Sequence, residues 1–417
     1  MQANSERVVI TGIGMVTPCG VGAEATWLSL TTGRSGIGPI ENFDVSGYAV
    51  RIAGEVRQWD PLCFIERKKL RELGRFCEFA LASARMAVDD AGLDLSDEDR
   101  ERAAVVVGVG IGGLEGIDRA AAAIHDKGPT KVSPYAIPVI APNMAAGQIS
   151  IAYDLRGPSF CVASACASGA HAIGEAAQMI RTGRASVAIA GGAEAAVTPI
   201  GIAGFQAMYA LSRRNDEPTA ASRPFDRGRD GFVCSEGAAV MVLEPLRRAR
   251  ERGARIYAEV RGYGLSSDAF HPVQPAPGGR GAISAMRAAL RSAAVDAQQV
   301  DYVNAHGTAT QQGDVHESHA IREVFGDHAR SRKLWVSSTK SMTGHMLGAA
   351  GAAEAAFAAM ACARGVVPPT INVDDQDPEC DLDVVPREAR ERRVQHALSN
   401  SFGFGGCNVC LLLSRPD

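Results

Sequence analysis

The stretch FCVASACASGAHAIGEAAQMIRT, residues 160–182, begins as a strand, turns tightly near Cys166 and continues as a helix whose faces are nearly all small and apolar. A helix that is apolar on every side is usually buried between two layers. Residues 334–365 repeat the same order of strand, tight turn and alanine-rich helix. Two buried helices, one in each half of the chain, predict a duplicated fold whose halves face each other.

Strand-like and helix-like runs also alternate along the rest of the chain. Helical spacing is clear in residues 76–91 and 282–294. The strand-like runs are residues 8–10, 103–109, 186–190, 239–243, 257–260, 302–304, 334–337 and 409–413. Such alternation is typical of α/β proteins, in which helices cover sheets. We expect an N-terminal half over residues 1–254 and a C-terminal half over residues 255–417.

Length and composition limit the classes of protein to which the chain can belong. It has 417 residues, 46% of them hydrophobic and 22% charged, as is usual for a globular enzyme of two domains or one duplicated unit. A formal net charge of −4 argues against a surface built to bind nucleic acid or an anionic membrane. We see no secretory signal and no apolar run long enough to span a membrane. Ten scattered cysteines favour a reducing compartment, so we expect a cytoplasmic protein.

Cys166 is a candidate nucleophile. It follows the strand-like part of residues 160–182 and opens the helix, where free backbone N–H groups and the positive end of the helix dipole would stabilise a thiolate. Ala165, Ala167 and Gly169 are small enough to leave room for a substrate carbonyl. Taken alone, however, the residue fits a packed core cysteine about equally well.

Two histidines stand in similar turns after strands of the C-terminal half. His306 lies in NAHGTAT, residues 304–310, and His345 ends KSMTGH, residues 340–345. α/β folds place active sites at the ends of strands, and a neutral imidazole can donate a hydrogen bond to a carbonyl or carboxylate. One such histidine alone would more often be a satisfied buried group, but two beside a candidate nucleophile favour catalysis. No metal-ligand spacing accompanies them, so we expect no metal.

The glycine-rich loop NSFGFGG, residues 400–406, is the third candidate centre. Backbone amides in such a loop can form an oxyanion hole, and Phe402 and Phe404 could line or gate an apolar tunnel. A plain turn before the last strand is the alternative. Cys407 and Cys410 follow as a C-x-x-C. A strand would point these two to opposite faces, which argues against a redox or zinc site.

Together these segments resemble the β-ketoacyl-acyl carrier protein synthases of the thiolase superfamily, most closely the type II synthases of dissociated fatty-acid synthesis. Residues 164–171, 304–310, 338–351 and 400–406 match in order and spacing. The resemblance implies a five-layered αβαβα fold of two similar halves, a homodimer and no cofactor. It also implies a decarboxylative Claisen condensation, in which acyl-carrier protein and malonyl-carrier protein give 3-oxoacyl-carrier protein, carbon dioxide and free carrier in fatty-acid elongation.

The resemblance gives each candidate residue a role. The Cys166 thiolate would take the acyl chain, and the backbone N–H groups of Cys166 and Phe404 would hold the oxyanion. His306 and His345 would face the thioester carbonyl and carboxylate of the malonyl group. Loss of carbon dioxide would then leave a carbanion that attacks the acyl-enzyme.

Further residues would organise the site and contact the substrate. Lys340 would form an ion pair with Glu354, because a buried lysine without a partner is costly. The resemblance places the other substrate contacts at Thr308 and Thr310 along the phosphopantetheine arm, at Ile111 and Phe205 around the acyl pocket, and at Phe402 next to the gating Phe404.

A basic run occurs on a helix-like segment near the start of the chain. Charge runs are usually solvated faces, but the matching region of the family docks the acidic carrier protein, so the resemblance implies docking here. The residues concerned are Arg67, Lys68, Lys69 and Arg71, extended by Lys127, Lys131 and Arg213. We therefore expect acyl carrier protein and a second copy of this chain as partners, with no nucleic acid and no membrane.

Several alternatives were weighed against this family. Residues 108–113, GVGIGG, fit the G-x-G-x-x-G of dinucleotide-binding proteins, but we find no acidic ribose ligand at the required distance. A non-catalytic chain-length subunit would lack Cys166, and a thiolase would need a second catalytic cysteine where Phe404 stands. A ketosynthase of the same fold in a polyketide or other secondary-metabolite pathway stays open, because it shares the mechanism.

Four departures from the family pattern bear on carrier choice and acyl-chain length. They are Gln311 and Gln312 after the His306 motif, the segment HPVQ at residues 271–274, Tyr209 where a docking arginine is common, and Cys407 in place of a frequent threonine.

Overall fold

The strands follow the predicted runs closely. The computed structural model describes residues 6–417, so residues 1–5 of the predicted N-terminal half lie outside the described part. Strands before residue 254 are β1 (Val8–Thr17), β2 (Gly20–Val21), β3 (Gly38–Pro39), β4 (Ile52–Ala53), β5 (Ala103–Gly108), β6 (Ser159–Val162), β7 (Val187–Glu194) and β8 (Gly237–Pro245). Later strands are β9 (Ala258–Ser267), β10 (Tyr302–Asn304), β11 (Trp335–Ser337), β12 (Val366–Val367), β13 (Arg390–Glu391), β14 (His396–Gly403) and β15 (Cys407–Ser414).

The helices alternate with these strands. Helices before residue 254 are α1 (Ala23–Thr31), α2 (Arg75–Ala91), α3 (Asp97–Arg102), α4 (Leu114–Lys127), α5 (Ala136–Ile140), α6 (Met144–Tyr153), α7 (Ser168–Arg181), α8 (Pro199–Ala207) and α9 (Leu246–Glu251). Later helices are α10 (Arg280–Ala293), α11 (Gln311–Phe325), α12 (Asp327–Arg330), α13 (Lys340–Thr343) and α14 (Ala350–Arg364). The two predicted helices coincide with α2 and α10 except at their ends.

The two halves share one sheet topology. Strands of the first half are ordered β6-β5-β7-β8-β1, and those of the second β11-β10-β14-β15-β9. In each half the first three strands are parallel and the last two are antiparallel to their neighbours. The sheets meet edge to edge where β1 pairs with β9. Because the strands have the same order and direction in each half, the prediction of two similar halves is confirmed. The boundary at 254/255, between α9 and β9, stays a prediction.

Helices α7 and α14 form the central layer between the two sheets. They pack on each other, on β5 and β7 from one side and on β14 from the other. Helices α2 and α6 cover the outer face of the first sheet, and α10 and α11 cover the second. The predicted five-layered αβαβα fold is therefore confirmed.

Small residues let the central helices come unusually close. A Cβ atom added to Gly169 in α7 would lie 2.7 Å from the backbone nitrogen of Ala352 in α14, which is closer than real side chains approach. Thirteen residues of α14, from Ala350 to Cys362, are buried, as the apolar pattern on all faces predicts. This contact matters for function because the turns before α7 and α14 carry the candidate catalytic residues.

In the part of the chain that the structure describes, no helix has both the length and the apolar character needed to cross a membrane.

Candidate active site

Three strand-end turns converge on one cavity. Cys166 lies between β6 and α7, His306 follows β10, and His345 lies between α13 and α14. Because β6 and β11 occupy equivalent places in the two halves, the turns that follow them face each other across the central helices. The cavity has a volume of about 560 Å³, and all three side chains line it.

The Cys166 turn is held in a strained conformation. Ala165 has a φ of 50°, in the left-handed region that residues with a Cβ atom rarely adopt. The Ser168 hydroxyl fixes the turn, since it accepts from the Ser164 N–H (2.9 Å) and donates to the Ala165 carbonyl (2.6 Å). Such strain is typical of functional turns whose surroundings enforce the geometry.

The Cys166 thiol is protonated in the resting protein. Burial raises its pKa to about 12, against lowering by the Lys340 ammonium and the Phe404 backbone N–H. A position before a helix would favour the thiolate through the helix dipole. Helix α7 begins only at Ser168, and the thiol is just 7% exposed, so the loss of hydration dominates.

The glycine loop after β14 approaches the Cys166 turn as closely as backbone can. A Cβ atom on Gly403 would lie 2.4 Å from the Ser164 carbonyl oxygen, so only glycine fits there. This approach brings the Phe404 N–H to the Cys166 sulfur. On its other side the loop is held by Gly405, whose N–H donates to the Pro272 carbonyl (2.7 Å).

The two histidine rings lie edge to face in an apolar setting. Their centroids are 5.3 Å apart. Phe402 packs against His306 at 5.6 Å, and Phe232 packs against His345 at 5.3 Å. Burial lowers the pKa of both imidazoles well below its usual range, and the nearby Lys340 ammonium lowers it further. Both rings are therefore neutral near pH 7 and can donate one hydrogen bond each.

Lys340 and Glu354 form a buried ion pair beside the histidines. Each side chain is at most 2% exposed. The Lys340 Nζ also donates to the His306 carbonyl (2.6 Å) and lies 3.4 Å from His306 Nδ1. A donor facing Nδ1 leaves the ring proton on Nε2. Burial raises the pKa of Glu354 to about 7, and the ammonium opposes that rise.

Acidic residues of α11 that sequence analysis did not identify hold the His306 turn. Glu317 accepts from the backbone N–H groups of His306 (2.8 Å) and Gly307 (2.7 Å). Asp314, one helical turn earlier, accepts from the N–H of Ala309 (3.1 Å). The sequence carried a signal, because two acids three residues apart share one helix face.

The predicted substrate residues divide into two groups. Thr308, Thr310, Phe402 and Phe404 line the cavity, and the two threonine hydroxyls are 3.1 Å apart. Ile111 and Phe205 do not line it. Ile111 is 42% exposed, whereas Phe205 packs on Phe232 and on the apolar cluster that contains Cys166. The roles of all six stay predictions.

Three of the four departures from the family pattern lie at this cavity. Its lining includes Tyr209, Val273, Gln274, Gln311 and Gln312, whereas Cys407 is outside it. Tyr209 is 81% exposed, and the Arg213 guanidinium lies over its ring. These three departures therefore lie at exposed positions of the cavity wall, outside the Cys166 turn.

Six of the seven predicted docking residues lie on two neighbouring segments, and Arg213 lies apart from them, over the Tyr209 ring. The basic run was expected to be helical, which was wrong: it forms turns and the 3-10 helix Leu70–Glu72, because Ile65, Leu70 and Leu73 make no helical apolar stripe. Arg67, Lys68 and Arg71 are exposed and Lys69 is half-buried; Lys127 and Lys131 are exposed at the end of α4. The Arg71 guanidinium lies over the Tyr135 ring at 5.4 Å, which joins the two segments.

The glycine-rich loop at residues 108–113 binds an acid of this chain. Backbone N–H groups of Gly110, Ile111 and Gly112 donate to the buried carboxylate of Glu194 (2.8 to 3.2 Å). An internal acid thus occupies the place that a dinucleotide phosphate would take. Among residues 6–417 no three His, Cys, Asp or Glu side chains are grouped as a metal site would require.

Two family models match nearly the whole chain. The β-ketoacyl synthase N-terminal domain matches residues 5–249, and the β-ketoacyl synthase C-terminal domain matches residues 257–374. The chain belongs to the β-ketoacyl synthase family. This assignment excludes the dinucleotide-binding alternative.

Relatives in this family match the chain from end to end. It is 50% identical to 3-oxoacyl-(acyl-carrier-protein) synthase 2 of Coxiella burnetii, over 98% of both chains. The enzyme of the same name from Vibrio harveyi is 47% identical over 99% of both. Among solved structures, a β-ketoacyl synthase from Burkholderia phymatum has a TM-score of 0.91 at 37% identity, and the ishigamide ketosynthase/chain length factor has 0.91 at 38%. Each covers 99% of this chain and 100% of its own.

Substitutions at Lys340 and Glu354 distinguish the role of the lysine in catalysis from its contribution to the stability of the fold. Lys340→Met leaves the buried Glu354 carboxylate unpaired, so we expect a loss of about 3–5 kcal/mol in the free energy of unfolding in urea. Lys340→Met combined with Glu354→Leu should recover most of that loss, because an apolar pair replaces the ion pair. Both proteins should still lose condensing activity, since the Lys340 ammonium no longer contacts the His306 carbonyl and Nδ1. A stable double variant with full activity would contradict this role.

Proposed function

We propose that this chain is a 3-oxoacyl-acyl carrier protein synthase that elongates fatty acids by decarboxylative Claisen condensation. The observation that carries the proposal is the meeting of one thiol and two neutral imidazoles at a single cavity. Relatives of about 50% identity that bear this enzyme name support the same assignment.

In the first half-reaction Cys166 takes the acyl group. The thiolate attacks the thioester carbonyl, and the N–H groups of Cys166 and Phe404 stabilise the oxyanion. The carrier thiolate leaves and takes up the proton that Cys166 lost. A thiol with a raised pKa suits this step, because it ionises mainly when a thioester is presented and reacts only slowly with other solutes between turnovers.

In the second half-reaction the histidines act as hydrogen-bond donors. Neutral His306 and His345 donate to the malonyl thioester carbonyl, where negative charge develops as the carbon–carboxylate bond breaks. The resulting enolate attacks the acyl-Cys166 carbonyl. The bond to sulfur breaks, and 3-oxoacyl-carrier protein and carbon dioxide are released. Histidines of raised pKa would be cationic and would bind the malonyl carboxylate before its loss, which would stabilise the ground state.

A polyketide ketosynthase is the second candidate. Its support is the similarity to solved ketosynthases such as AntDE:AntF, described as bound to a hexaketide, at 33% identity and a TM-score of 0.92. The relatives named 3-oxoacyl-acyl carrier protein synthase 2 are considerably more similar, at 47% to 50% identity. We therefore assign the chain to fatty-acid elongation.

We assign acyl carrier protein as the partner that delivers both substrates. The basic surface of residues 67–71 and 127–131 has the charge that an acidic carrier requires. Thr308 and Thr310 offer hydroxyls inside the cavity to the amides of a phosphopantetheine arm. All ten cysteines are free thiols, which fits the reducing cytoplasm in which we place the enzyme.

We also assign a homodimer. Strand β6 is the edge of the first sheet, and its Ser159 and Phe160 are exposed. Ile137 and Ile151 add exposed apolar surface nearby, at 73% and 65%. An unpaired edge with apolar neighbours is usually covered by another chain. Light scattering should give about twice the chain mass of 43.7 kDa, and the single mass would contradict the assignment.

The nucleophile is tested by intact-mass spectrometry after exposure to acyl-carrier proteins from short to long chain. We expect one acyl adduct, mapped to Cys166 by peptide analysis and lost in Cys166→Ala. The alanine variant should still decarboxylate malonyl-carrier protein, because His306 and His345 remain. Saturated acyl chains should react; adducts only with polyketide-type carriers would favour the second candidate. Acyl transfer by Cys166→Ala would contradict the assignment.

The docking surface is tested by charge reversal. Lys68→Glu with Lys69→Glu should raise the KM for acyl-carrier protein by about tenfold at low salt, and less at high salt, because the surface attracts an acidic partner. The value of kcat should change little. Lys333→Glu with Arg393→Glu, two exposed basic residues elsewhere, is the matched control. If both pairs of substitutions raised the KM equally, the effect would come from the net charge of the protein and not from a docking site at residues 67–71.

A further inference from the structure

Glu194 is a completely buried acid without a cationic partner in the described chain. It ends β7 and is 0% exposed, and no Lys or Arg among residues 6–417 lies within ion-pair distance. Its two oxygens instead accept from the backbone N–H groups of Gly110, Ile111, Gly112 and Gly348. A buried charge held only by amides is costly, so its position calls for a functional reason.

The carboxylate joins three segments that surround the nucleophile. Gly110 follows β5 of the first half, and Gly348 precedes α14 of the second. These two glycines are so close that a Cβ atom on Gly348 would lie 2.2 Å from the Gly110 nitrogen. A Cβ atom on Gly110 would lie 3.4 Å from the Ala165 carbonyl oxygen, in contact with the strained turn of Cys166. The Glu194 carboxylate thus holds segments of the two halves together next to the Cys166 turn.

We propose that Glu194 is a positioning residue for acyl transfer, which holds the loop of residues 110–112 and the start of α14 against the Cys166 turn, and that its negative charge, when present, opposes formation of the Cys166 thiolate. The proposal rests on the proposed function, because acyl transfer to Cys166 is the step that it serves. The carboxylate thus has a positioning role and an electrostatic role. The first depends on the length of the side chain and the second on its charge, so substitutions can separate them.

The charge of Glu194 changes over the pH range in which the enzyme can be studied. Burial raises the pKa of Glu194 to about 7, although the four amides lower it. The titratable groups that sense this charge are the thiols of Cys161, Cys166 and Cys234. Burial is the main cause of the raised pKa of Cys166, and ionised Glu194 adds to it. Above pH 7 the carboxylate is ionised, so the thiol of Cys166 is then harder to deprotonate.

The rate of Cys166 alkylation by iodoacetamide, followed by peptide mass spectrometry, measures the effect of the Glu194 charge on the thiol. At about pH 6 Glu194 is protonated, so Glu194→Gln should react at the wild-type rate. At about pH 9 the variant should react about tenfold faster, because a buried negative charge is missing. Glu194→Asp retains the charge and should match the wild type at both pH values.

The rate of acyl transfer tests whether the length of the Glu194 side chain matters. Asp is one methylene shorter and cannot contact all four amides, so Glu194→Asp should lower the rate of transfer from acyl-carrier protein by about tenfold or more. Glu194→Gln should be slowed as well, because its NH₂ group faces backbone donors. Decarboxylation of malonyl-carrier protein should fall less than twofold in either variant, since the histidines are held by other residues.

Glu55→Gln is the matched control. Glu55 is 1% exposed and also holds a loop through amides, those of Glu41 and Asn42, but this loop is outside the cavity. It should change neither the alkylation profile nor acyl transfer. Equal alkylation of Glu194→Gln and wild type at both pH values, or unchanged acyl transfer in both Glu194 variants, would overturn the proposal. Failure of the proposed function would look different: the wild-type protein would take no acyl group, while alkylation would still report the charge.

Discussion

The buried ion pair of Lys340 and Glu354 is the interaction on which the rest of the site depends. An ammonium held at the centre of the fold adds to the burial that keeps two neighbouring imidazoles neutral, contacts the His306 carbonyl and ring, and partly offsets the effect of burial on the Cys166 thiol. Without its partner the lysine could not be buried, and without the lysine Glu354 would be an uncompensated acid. The lysine of this pair thus lowers the pKa of all three groups that carry the chemistry, adding to the effect of burial on the two histidines and opposing it on the thiol.

The duplicated architecture explains how such a pair can be buried. Lys340 comes from the turn after β11, and Glu354 lies one turn into α14, the helix that packs on α7. Because the halves share one strand order, the turn that carries the thiol and the turn that carries the cation lie opposite each other. Alanine and glycine at the helix contact bring the turns close enough for one cavity, and acids such as Glu317 and Glu194 hold the turns through backbone amides.

The sequence predicted those features that depend on local pattern. The strands, the two buried helices and the candidates Cys166, His306 and His345 follow from strands and the glycine-bearing turns after them, whereas Lys340 came only from the family resemblance. Glu194 and Glu317 could not be found in this way, since their partners are amides brought together only by folding. The burial of Cys166 could not be predicted for a related reason, because it depends on the loop at Gly403, far away in the sequence. The basic run at residues 67–71 was predicted to be helical from its charges alone, without the apolar spacing that a helix needs.

The protonation state of the two histidines tests the account most directly. Nitrogen NMR of the protein labelled at histidine, with assignments from single His306→Asn and His345→Asn variants, reports each ring from about pH 6 to about pH 9. The account predicts that both rings stay neutral throughout, with the His306 proton on Nε2. A ring that gains a proton with a midpoint near the ordinary value of about 6.5 would contradict it, because the ion pair would then not control the site.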